Sequence, residues 1–139
     1  MPKKQKIELN KEFCPTIEET KIFDMIFPLI ENDLEEIRKL SGKKQDEPLN
    51  IFKIKMINKK LEKARALLKN EPTIEFLELL DEVTLPTNSD AVLQITQFIN
   101  ALKSFKNKYY IKKGGLDTDT DSIIGYYEWE TNTKEPSHA

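Results

Sequence analysis

Between Thr87 and Tyr110 the apolar residues Ala91, Ile95, Phe98, Leu102, Phe105 and Tyr109 recur by four and three. That spacing places them on one stripe of an α-helix. Val92 and Ile99 widen the stripe, so the helix is expected to face a core rather than a narrow seam. Thr87 and Asp90 form a Thr-x-x-Asp variant of the capping box, and Lys103, Lys106 and Lys108 gather where the helix dipole favours positive charge.

The same pattern runs upstream. Thr16 to Leu40 reads as a helix opened by a Thr16/Glu19 capping box, with Gly42 as its natural C-cap. Its apolar set is Ile22, Phe23, Met25, Ile26, Phe27, Leu29, Ile30, Leu34 and Ile37, broad at first and then narrow, so its first half should be the more buried. Pro28 inside it predicts a kink or break. A second helix opens near Pro48 and carries Ile54, Ile57, Leu61, Ala64 and Leu68 inward, joined by Phe52 and Met56. Asn70 and Pro72 end it. Thr73 to Val83 reads as a short third helix with Ile74, Leu77 and Leu80 inward and Phe76 beside them, and Leu85-Pro86 is the hinge into the last helix.

After Lys113 the periodicity stops. Gly114-Gly115 is expected to break the helix. The following LDTDTDSIIGYYEWETNTKEPSHA is acidic, rich in Thr, and holds Tyr126, Tyr127 and Trp129 together. The sequence therefore predicts an all-α fold: an antiparallel bundle of three long helices and one short one over residues 16–113. A basic arm, residues 1–15, precedes it, and a non-helical acidic aromatic tail, residues 114–139, disordered or extended, follows.

Charge adds a second pattern. Net charge by segment is +2 for residues 1–15, −4 for 16–42, +6 for 43–70, −6 for 71–90, +5 for 91–113 and −5 for 114–139. Sequence neighbours in a bundle are commonly spatial neighbours, so opposite blocks would face one another and favour one arrangement of elements. The total is only −2, which gives no global attraction to nucleic acid or membrane. Of the 22 basic residues only Arg38 and Arg65 are arginine, which weighs against bidentate reading of bases. No run approaches the roughly 20 apolar residues of a membrane span, and the opening Met-Pro-Lys-Lys-Gln-Lys lacks the apolar core of a signal peptide. The expectation is a soluble cytoplasmic protein.

The chemistry available is narrow. His138 is the only histidine and lies next to the last residue, so catalytic triads, histidine-ligated zinc and imidazole relays are set aside. Cys14 is the only cysteine and has no basic cluster beside it in sequence to activate a thiolate. Asp117, Asp119 and Asp121 stand at positions 1, 3 and 5 of a twelve-residue calcium loop that Glu128 would close. Ser122 replaces the turn glycine, and no entering helix precedes the loop, so the calcium signal is weak. Glu75, Glu78, Asp81 and Glu82 at helical spacing, with Glu31 and Glu35 opposite, would be the carboxylate pairs of a metal-dependent hydrolase.

Two features suit partner binding instead. Tyr126, Tyr127 and Trp129 mark the tail as a segment that docks in a groove or adds a strand to an edge. Lys55, Lys59 and Lys63 form a stripe at i, i+4 and i+8, suited to a phosphate backbone or an acidic partner, although no exposed aromatic is expected to interleave with it. The functional expectation is a non-enzymatic interaction or adaptor protein that binds another protein. Nucleic-acid association through the Lys stripe is the alternative, a carboxylate–metal hydrolase stands third, and homo-oligomerisation is left open.

Overall fold

The computed structural model of the chain describes residues 13–117 and 122–132. Three helices carry the core: α1 (Ile17–Lys44), α2 (Ile51–Leu67) and α3 (Asn88–Tyr109). A short 3-10 turn covers Pro72–Phe76. Two strands follow α3, β1 (Tyr110–Asp117) and β2 (Ser122–Trp129), paired antiparallel. The all-α bundle of four helices expected from periodicity is therefore corrected to three helices plus a two-stranded sheet.

The helix starts follow the sequence signals. Thr16 accepts from the Glu19 backbone N–H and its own N–H donates to the Glu19 carboxylate, both at 3.1 Å, completing the capping box. Thr87 accepts from the Asp90 N–H at 3.1 Å. The end of α1 departs from expectation: the helix runs through Gly42 to Lys44. No glycine cap is needed, because donors at the start of α3 meet the open carbonyls there. Asn88 Nδ2 donates to the Lys44 carbonyl at 2.8 Å, and the Ser89 N–H donates to that of Gln45 at 3.1 Å. One helix's orphan acceptors thus satisfy another's orphan donors. Pro28 is exposed and sits within a continuous α1, so the expected break is absent.

Phe23, near the start of α1, stacks on Phe105, near the end of α3, while Asn88 reaches Lys44 at the opposite end. These two helices are antiparallel. The short link 45–50 and the Lys60–Asp33 ion pair make α1 and α2 antiparallel as well. Helices α2 and α3 must then be parallel, and the chain between them has to travel back along the bundle. Seventeen residues of α2 are about 25 Å long at 1.5 Å per residue. An eleven-residue helix over 73–83 would cover only about 16 Å. An extended segment covers that distance at about 3.3 Å per residue. The chain takes the second course: after the 3-10 turn, Leu77 to Pro86 runs without helix.

This strap is pinned to α2. Asn58, 2% exposed, donates from Nδ2 to the Leu80 carbonyl at 2.8 Å and accepts from the Leu80 N–H at 2.9 Å. Arg65 Nε donates to the Leu77 carbonyl at 2.7 Å. Leu77 and Leu80 are buried, as expected, but Phe76 is 63% exposed. The core is continuous from Phe23, Ile26, Ile30, Leu34 and Ile37 on α1 through Ile54, Ile57 and Leu61 on α2 to the whole expected stripe of α3. The first half of α1 is the more buried, as expected: Thr20, Phe23, Ile26 and Ile30 are buried there against Leu34 and Ile37 in the second half, although Met25 and Leu29 of the expected apolar set are exposed.

Candidate partner-binding arm

Helix α3 passes into β1 with no loop, Tyr109 ending one and Tyr110 beginning the other. The break falls before Gly114-Gly115, whose role is different: Gly114 faces Gly125 across the ladder. Residues 110–117 and 122–129 form one hairpin, with Tyr110 opposite Trp129, Lys112 opposite Tyr127 and Lys113 opposite Tyr126. A two-stranded hairpin is marginal on its own in water. This one is held at its base. The Trp129 ring meets Phe23 at 5.1 Å, Tyr110 at 5.3 Å and Phe105 at 6.1 Å, in edge or tilted geometry. Beyond it the Glu130 N–H donates to the Tyr109 carbonyl, and the Asn132 N–H donates to that of Pro15 at 2.8 Å. The tail expected to stand apart from the bundle is, over its described part, a hairpin seated on the junction of α1 and α3.

The ladder alternation sorts the arm into two faces. One carries Trp129, Tyr110, Tyr127 and Lys112, with Tyr110 and Tyr127 stacked at 5.6 Å and Lys106 of α3 over the Tyr110 ring at 4.8 Å. The other carries Ile111, Lys113, Tyr126 and Glu128. There Lys113 pairs with Glu130 and lies 3.9 Å from Glu128, and the hydrogen bond it donates to the Glu130 carboxylate holds the ammonium above the usual lysine range. Tyr126 and Tyr127 are 50% and 59% exposed. Among the described residues both strands are edges, since no third strand there pairs with them.

The candidate residues therefore separate. Tyr126 and Tyr127 are solvent-facing, whereas Trp129 is an anchor. Lys55, Lys59 and Lys63 are exposed on α2, and no hydrogen bond, ion pair or ring contact among the described residues joins them to the arm. Phe52, expected inward, is 69% exposed and Met56 is 41% exposed, so an aromatic does stand among these lysines. The signal was present: two residues from Ile54 is about 200° around a helix, away from the core face.

Asp119 and Asp121 of the calcium motif lie outside the described residues. Asp117 faces Ser122 at the end of the ladder, and Glu128 lies six residues further along the same strand. At about 3.3 Å per residue that separates Glu128 from the Ser122 end of the strand by roughly 20 Å. Glu75, Glu78, Asp81 and Glu82 do not share a helix face, since only Glu75 is in the 3-10 turn and the rest follow it on the strap. The Asp81 carboxylate instead accepts from the Val83 and Thr84 N–H groups, at 2.8 and 2.9 Å, which lowers its pKa. No three His, Cys, Asp or Glu side chains among the described residues are grouped to hold a metal.

At the other side of the α3 terminus, Glu71 is 7% exposed and accepts from Lys108 at 3.3 Å. Burial pulls the Lys108 ammonium down, but the Tyr109 hydroxyl and the Glu71 carboxylate outweigh it and leave its pKa raised. Burial pushes the Tyr109 hydroxyl up. Cys14, 4% exposed, lines a small cavity beside Glu71. No helix among the described residues is long and apolar enough to cross a membrane. Comparison with protein-family models, curated proteins and solved structures finds no match.

Proposed function

We propose that the chain is a non-enzymatic interaction protein that presents the β1–β2 arm to a protein partner. The reading is carried by one arrangement: Trp129 seats the base of a hairpin in the bundle, while Tyr126 and Tyr127 stand exposed on its two faces between strand edges that no other described strand pairs. An exposed edge offers backbone donors and acceptors to an added strand, and tyrosine offers large contact area at low entropic cost. The anchor pre-orders the arm, so less ordering entropy opposes binding than for a free tail.

Co-purification from the native cell tests this. Wild type should retain a partner that the Tyr126→Ser/Tyr127→Ser variant loses and the Lys55→Glu/Lys59→Glu/Lys63→Glu variant keeps. Retention by the tyrosine variant would refute it.

A further inference from the structure

The α1–α2 face carries a groove of about 260 Å³, away from the arm. Its floor is Ile37 and Ile57, both buried, and its basic bank holds Phe52 and Met56, both exposed. These two stand one turn apart on α2. The Lys60–Asp33 ion pair, 2.6 Å, crosses the groove. Beyond Phe52 and Met56, Lys55, Lys59 and Lys63 extend the bank into solvent. The single acidic residue of α2, Glu62, lines a different surface hollow with Arg65.

We propose that this groove receives an acidic amphipathic helix of a partner protein. Its apolar side chains would seat between Phe52 and Met56 over Ile37 and Ile57, with carboxylates against Lys55, Lys59 and Lys63. A channel between two antiparallel helices matches the ridge of a third. Charge selects the partner: the segment 43–70 has net charge +6, and the exposed lysines flank the apolar pair directly. Nucleic acid fits less well, because Asp33 and Glu36 line the opposite bank against a phosphate backbone. A second copy would bring its own Lys-rich α2 to the same basic surface. The inference stands apart from the arm, which lies on other elements.

The test is nuclear magnetic resonance titration of the full chain with a designed helical peptide, Leu at i, i+3, i+4 and i+7 and Glu on its flanks. Controls are its Lys-flanked isomer and a short single-stranded oligonucleotide. Shifts should concentrate at Ile37, Phe52, Met56 and Ile57, and affinity should fall with salt. Phe52→Ser, at an exposed position, should weaken binding roughly tenfold or more. Lys59→Glu/Lys63→Glu should weaken it independently of Phe52. Absence of these shifts, equal binding of the Lys-flanked isomer, or stronger perturbation of the same residues by the oligonucleotide would overturn the proposal. So would concentration-dependent self-association abolished by Phe52→Ser.

Discussion

The Trp129 indole meets the Phe23 ring edge-on, centroids 5.1 Å apart and planes at 69°. This contact joins the last described strand to the first helix across most of the sequence. As Trp129 is the only tryptophan, its fluorescence reports the contact alone. Emission should be blue-shifted in the native protein and move red only with global unfolding.

Removing that ring should be costly. Trp129→Ala is expected to destabilise the fold by roughly 2–4 kcal/mol, at or below the usual range for a large aromatic because the ring is partly exposed. Deleting residues 114–139 should lower the thermal midpoint as well, where a free tail would leave it unchanged. Urea unfolding followed by circular dichroism measures both.

The strap depends on one side chain. Asn58 satisfies both the N–H and the carbonyl of Leu80 in a buried setting. Asn58→Leu would leave two backbone groups without partners, and a loss of roughly 2–4 kcal/mol is expected. Asn50→Ala, which removes an exposed cap at the start of α2, should cost about 1 kcal/mol. A smaller loss at Asn58 than at Asn50 would contradict the role assigned to the strap.

Stability should also fall at high pH. Tyr109 and Lys108 both have pKa values raised in the folded state, so near and above pH 10 the unfolded chain releases these protons first. Their contribution is complete below the unfolded values and is lost as pH rises through the folded ones. Denaturant midpoints measured from pH 8 to 11, roughly spanning the ordinary tyrosine and lysine values, should decline, and Tyr109→Phe should flatten the decline.

Local chemistry made much of this architecture legible. Thr16/Glu19 and Thr87 carry their capping bonds, and all six residues of the α3 stripe are buried. The charge blocks also meet as their signs suggest: Lys60 with Asp33, Lys108 with Glu71, and Lys113 with Glu130. What escaped the pattern was set by distance and topology. Leu77 and Leu80 show helical spacing, yet the return between parallel helices needs an extended chain. Ile111, Lys113, Tyr126 and Glu128 give no apolar alternation because no helix covers the arm, so its strands read as a polar tail. Trp129 stands out in the sequence as an aromatic in an acidic segment that reads as a docking residue, but Phe23 and Phe105, remote in sequence, make it an anchor.

The arm as contact surface is the centre of this account. A photo-cross-linking amino acid placed at Tyr126 or Tyr127 in the full chain, expressed in its native cell, tests it directly. Val83, 92% exposed on the strap, is the control position. The account predicts one discrete protein adduct from both arm positions and none from Val83. No adduct from the arm, or the same adduct from Val83, would contradict it.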